Sequence, residues 1–145
     1  MASWMIHLRI ADELLKHLQE TDETAFVVGN MAPDSGVPND DWSKFDPPYP
    51  VTHFKTETDD GSIIDTDKFC DRYFNDETIS RYSIKEYSFF LGYLVHLLTD
   101  VRWVEKIGGS LKKEYPKGVD FVSYNEGYTT LLIINNNIAE FLCPE

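Results

Sequence analysis

The sequence predicts a helical fold, with one domain gathered round a long, buried helix. Three features of the chain point to it. Residues 83–107, SIKEYSFFLGYLVHLLTDVRWVEKI, open on an S-x-x-E capping box at Ser83 and Glu86 and run into the Gly108–Gly109 pair. Start and stop signals therefore bracket about 24 residues, roughly 36 Å of helix at 1.5 Å per residue. The middle of this segment is apolar on every side, the pattern of a helix surrounded by protein. Near the start, residues 7, 10, 11, 14, 15 and 18 are His, Ile, Ala, Leu, Leu and Leu, the period of an amphipathic helix.

Each element follows in order. Ser3 can cap the first helix, whose outer side carries Arg9, Asp12, Glu13 and Lys16. His7 falls on its buried stripe, and His17 lies beside that stripe among charges. After the polar break QETDET, the run Ala25–Val28 is too short to decide between helix and strand. Pro33 ends it and sets Asp34 in a turn. Residues 35–62, with prolines at 38, 47, 48 and 50, read as a long loop containing His53; loops of this length are often functional. Thr66–Phe74 reads as a short amphipathic helix with Phe69, Cys70, Tyr73 and Phe74 inward. Tyr82 and Tyr87 occupy the hydrophobic-staple positions of the long helix. The tail VSYNEGYTTLLIINNNIAEFL predicts one more helix, and no internal repeat or low-complexity tract is visible.

At 145 residues the chain fits one domain, 1–145, able to bury roughly two thirds of its unfolded surface. The formal net charge of −12 disfavours nucleic acid and anionic lipid as partners. Lys112, Lys113 and Lys117 read as a helix end rather than a basic patch. Bound divalent cations would offset part of the negative charge. No apolar run reaches the roughly 18 residues of a membrane span, and the opening MASWMIHLRIADELLKHL lacks the parts of a signal peptide. Two cysteines, Cys70 and Cys143, make no disulfide framework, so a reduced, cytoplasmic setting is the default.

His96 and Asp100 stand four residues apart in the most apolar stretch of the chain, and so project from one helix face. A carboxylate in a dry core must be paired, protonated or bound to a cation. His7 poses the same problem on the first helix. A divalent metal where the two helices meet would offset both costs, and imidazole nitrogen and carboxylate oxygen are ordinary zinc ligands. The plainer alternative is a hydrogen-bonded His–Asp pair in the core.

The ordered pieces W-x-x-H (Trp4, His7), G-N-x-A-P-D (Gly29 to Asp34), T-H-F (Thr52 to Phe54) and F-L-G-Y-L-x-H-L-L-T-D-x-x-W (Phe90 to Trp103) resemble the zinc-dependent phospholipase C family, relatives of the fungal single-strand nucleases. The resemblance spans about residues 3–103. It implies an all-α fold and a zinc cluster that hydrolyses phosphate esters. It implies one zinc held by Asp34, His53, His96 and Asp100, with Asp100 bridging to a second zinc that His7 also binds. Trp4 and Trp103 would wall the site, or serve as core aromatics.

The departures from the family pattern matter too. Secreted relatives use the free amino group of a mature N-terminal Trp as a ligand. Trp4 is internal here, so that ligand is expected to be missing. No histidine follows residue 96, so a third zinc site is expected to be absent. Glu126 could supply a late carboxylate or be a surface residue. The chemistry expected is hydrolysis of a small phosphodiester or phospholipid head group by a metal-activated water, with Asp34 orienting that water or taking its proton. The competing expectation is a non-catalytic metal protein, because four protein ligands and no open position make a structural zinc site. A di-iron carboxylate bundle is set aside for want of Glu-x-x-His pairs.

Overall fold

The computed structural model describes residues 2–59 and 61–108, the side chains of residues 107 and 108 excepted. The predicted tail helix, Lys112, Lys113, Lys117, Glu126 and Cys143 lie outside the described residues. Helices dominate. The first, α1, spans Trp4–Leu15 and buries Ile6, His7, Ile10 and Ala11. Ser3 holds the N-cap position with extended backbone, but its side chain makes no capping bond; its carbonyl accepts from the Ile6 and His7 amides instead. The helix stops earlier than its stripe suggests, and Leu18 packs on the core from beyond its end.

Ala25–Val28 lies inside a second helix, α2 (Glu23–Met31), started by the Asp22 carboxylate accepting from the Ala25 amide. A single 3₁₀ turn, Ala32–Asp34, follows. Residues 35–62 are not the unstructured loop expected from the prolines. They form a hairpin of β1 (Val37–Pro38) with β2 (Phe45–Asp46), a one-turn helix α3 (Tyr49–Thr52), and a hairpin of β3 (Lys55–Thr58) with β4 (Gly61–Ile64). Both hairpins are antiparallel, with Val37 opposite Asp46 and Lys55 opposite Ile64. The fold is thus mostly helical, with two small strand pairs that the all-α expectation lacks. Two-residue strands are too short to leave a period in the sequence.

Helix α4 (Thr66–Tyr73) is capped by Asp65 and buries Phe69. One more turn, α5 (Asp76–Ile79), leads to α6, Ile84–Trp103, which continues as a π-turn over Val104–Gly108. The capping box forms as predicted: the Glu86 amide donates to Ser83 Oγ, and the Ser83 amide donates to Glu86 Oε2 at 2.8 Å. The two tyrosines do not staple the entry. Tyr82 stacks on Phe90 at 5.1 Å, and Tyr87 meets Phe74 edge-on.

Helices α2 and α6 cross with their backbones in contact, because both carry glycine at the crossing. A Cβ on Gly29 would lie 1.9 Å from the Phe89 carbonyl oxygen, and one on Gly92 would lie 2.0 Å from that of Phe26. The apolar core gathers Ala2, Ile6, Ile10, Ala11, Phe26 and Val95, with Trp103 packed against it. A second, aromatic cluster of Phe54, Phe69, Tyr73 and Tyr93 ties β3 and α4 to α6. Within it, Tyr93 Oη donates to the Thr52 carbonyl at 2.6 Å, which fixes the end of α3 beside α6.

Candidate metal centre

The crossing of α2 on α6 sets the site. It brings the Asn30 carbonyl within 2.7 Å of His96 Nδ1. A carbonyl can only accept, so Nδ1 carries the proton and Nε2 turns a lone pair toward the interior. The anchored end of α3 does the same for His53. Its Nδ1 lies 3.2 Å from the Tyr49 carbonyl and 3.0 Å from Thr52 Oγ1. The Thr52 hydroxyl reaches that same carbonyl, so the network assigns the His53 proton to Nδ1 and leaves Nε2 free. The two Nε2 atoms face each other at 3.2 Å.

Carboxylate oxygens surround this pair. Asp34 Oδ1, delivered by the turn after α2, is 3.3 Å from His53 Nε2 and 3.9 Å from His96 Nε2. Asp100 Oδ2 is 3.6 Å from His53 Nε2 and 3.9 Å from His96 Nε2. The other oxygen, Asp100 Oδ1, faces the opposite way. It lies 3.4 Å from His7 Nε2 and accepts from the Ala2 main-chain N–H at 2.7 Å. The His7 ring stacks on that of His96 at 3.7 Å, nearly parallel. The structure therefore brings together all five side chains singled out in the sequence: His7, Asp34, His53, His96 and Asp100.

All but Asp34 are fully buried, and Asp34 is 11% exposed. Burial pulls the His96 imidazolium down to about 4, aided by the nearby His7, so His96 is neutral at pH 7. The result is a knot of acceptors. Among the described residues, both nitrogens of His7 and Oδ2 of Asp100 are buried without a hydrogen-bond partner, a state that ordinarily costs free energy.

These residues fit a divalent cation. Ligand atoms of Asp34, His53 and His96 lie within 4.8 Å of one another, as do those of His7, His96 and Asp100. Tetrahedral coordination at about 2.0–2.2 Å would separate ligand atoms by roughly 3.3–3.6 Å, close to the separations found around His53 Nε2. Asp34 opens onto a cleft of about 360 Å³ shared with Trp4, Phe45, Pro47 and Tyr49. Trp4 is thus a cleft wall, 58% exposed, whereas Trp103 packs on the apolar core.

Other groups at the site left no trace in a reading by residue type. Tyr49 packs against the His53 ring, tilted by 34° with centroids 3.8 Å apart, and burial, with Asp100 and Asp34 nearby, pushes its phenol up to about 12. The Asn30 carbonyl and Ala2 N–H are main-chain groups, which any residue could supply. Only the buried polar Asn30 within G-N-x-A-P-D hinted at that position. A family model described as zinc-dependent phospholipase C matches residues 6–103, about two thirds of the chain. No curated protein and no solved structure matches significantly.

Proposed function

Because the chain belongs to the zinc-dependent phospholipase C family, we propose that it is a zinc-dependent phosphoester hydrolase acting on a small phosphodiester or a phospholipid head group. The observation that carries this reading is the facing pair of imidazole lone pairs, 3.2 Å apart and flanked by two carboxylates. Four acceptors pointed at one spot repel one another unless an electrophile lies between them. Asp34, His53, His96 and Asp100 would hold one zinc. His7, with the far oxygen of Asp100, would hold a second. Bound zinc supplies a Lewis acid for phosphoryl oxygens and makes water acidic enough to react near neutral pH.

The residues of the chain divide the remaining work. Asp34 is the least buried carboxylate and faces the cleft, so it orients the attacking water or accepts its proton. The Asn30 and Tyr49 carbonyls fix the imidazole tautomers, the usual supporting arrangement for histidine ligands. Tyr49 keeps its proton and remains a hydrogen-bond donor at the cleft wall. Among the described residues no helix is long and apolar enough to cross a membrane. The charge of −12 disfavours nucleic acid.

The rival reading, a closed structural zinc, draws on the same four donors. The two readings separate by experiment. Protein purified without chelator is analysed for zinc and assayed on a soluble chromogenic phosphodiester, alongside Asp34→Asn and Asp100→Asn. The hydrolase reading expects bound zinc and turnover, with both variants down by about a hundredfold or more. Zinc-dependent melting with no turnover in any zinc-loaded sample establishes the structural reading instead.

A further inference from the structure

We propose that the β1–β2 hairpin is a docking surface for a zwitterionic phospholipid bilayer, with Trp42 as its anchor. The proposal rests on the hydrolase reading above and extends it from the chemistry of the site to the way a lipid substrate is approached.

Trp42 sits at the hairpin tip, 70% exposed, with φ at 62°. A bulky residue in left-handed backbone is uncommon, and here the loop enforces it. The Asn39 amide donates to the Lys44 carbonyl at 2.9 Å, the Trp42 amide to the Asn39 carbonyl at 3.0 Å, and the Lys44 amide to Asn39 Oδ1 at 3.0 Å. The indole is thus presented to solvent by a bonded loop, with Phe45 edge-on at 6.3 Å. Phe45, 43% exposed and opposite Pro38, continues the apolar surface down one face of the hairpin. Phe45 also lines the cleft that holds Asp34, together with Trp4. A surface that seats Trp42 therefore lies against the mouth of the candidate metal centre.

Charge selects the kind of surface. Asp40 and Asp41 immediately precede Trp42, Asp46 closes the hairpin, and Lys44 is its one cation. Together with the net charge of −12, this repels anionic lipid. The outermost charge of a zwitterionic choline bilayer is a quaternary ammonium, which both carboxylates and an indole face attract. Indole also prefers the membrane–water boundary, where its ring is buried and its N–H stays wet.

The test uses the zinc-loaded full chain and co-sedimentation with vesicles of pure phosphatidylcholine or pure phosphatidylglycerol. The wild type is expected to bind the former and not the latter. Trp42→Ala, with zinc content unchanged, is expected to bind phosphatidylcholine about tenfold more weakly or worse. Asp40→Lys is expected to shift the preference toward phosphatidylglycerol. Equal binding by Trp42→Ala, or wild-type binding that favours the anionic vesicles, overturns the proposal. So does a Trp42-dependent dimer in vesicle-free sedimentation, which would make a second copy the occupant. Turnover of the soluble phosphodiester without vesicle binding sinks the docking surface alone, and vesicle binding without turnover sinks the hydrolase reading alone.

Discussion

Asp100 is engaged from two sides. One oxygen faces His53 and His96, and the other faces His7 and the Ala2 N–H. That arrangement makes Asp100→Asn informative without added metal. If the cluster exists to hold zinc, the carboxylate of the metal-free protein sits among other acceptors, and an amide of the same shape supplies a donor toward them. The metal-free variant is then expected to melt no lower than metal-free wild type, by a margin of about 1 kcal/mol in its favour, while elemental analysis finds it without zinc. If His7 and Asp100 were only a core hydrogen-bonded pair, the variant would lose roughly 1–3 kcal/mol and wild type would carry no zinc. His7, His96 and Asp100 were legible because each is out of place by type: histidine on an apolar stripe, histidine and aspartate in an apolar helix; Asp34, in a turn, and His53, in a proline-rich segment, were picked out as ligands only by the family resemblance. The groups that aim them were not legible, because the Asn30 and Tyr49 carbonyls and the Ala2 N–H belong to the main chain.

At the scale of elements, the site depends on how closely α2 approaches α6. With carbonyl oxygens 1.9 and 2.0 Å from where Cβ atoms would stand on Gly29 and Gly92, no rotamer change can make room, since the obstruction is backbone. Gly92→Ala must push the helices apart and carry the Asn30 carbonyl away from His96 Nδ1. Urea unfolding is expected to show a loss of about 1–3 kcal/mol or more, and zinc uptake to fall with it. An unchanged zinc content in a destabilised Gly92→Ala protein would show that the crossing supports the fold but not the site. The helices themselves could be read from sequence wherever a cap or a period marked them: the Ser83–Glu86 box, the stripe through Ile10 and Ala11. The segment 35–62 could not be read the same way. Its prolines suggested loop, and its strands are only two residues long in the first hairpin and four in the second. The first hairpin follows from Asn39 closing its turn on Lys44, rather than from any alternation.

Across the whole molecule, acidity acts on stability through two opposed sets of groups. Many exposed carboxylates repel one another under a net charge of −12, and acidification relieves that repulsion. The buried cluster responds the other way. His96 is held neutral, its folded value about 4 against an ordinary 6.5, so between those limits the unfolded chain binds a proton that the folded one refuses. Stability from this group is complete above pH 6.5 and is lost as pH falls toward 4. Because the surface term opposes the buried one, the raw curve does not isolate His96, but a difference does. Metal-free His96→Gln carries the same surface and lacks the buried imidazole. The unfolding free energy of wild type minus that of His96→Gln is expected to be constant above pH 6.5 and to fall steadily between pH 6.5 and 4. Zinc sharpens the contrast, since protons compete with the metal for the imidazoles, so the rise in melting temperature on adding zinc should shrink over the acid range in wild type and be lost in His96→Gln. A wild-type-to-variant gap that stays level from pH 7 to 4.5 would mean that His96 takes up its proton in the folded protein as freely as in the unfolded one, and the buried acceptor cluster would then not be as tightly closed as its geometry requires.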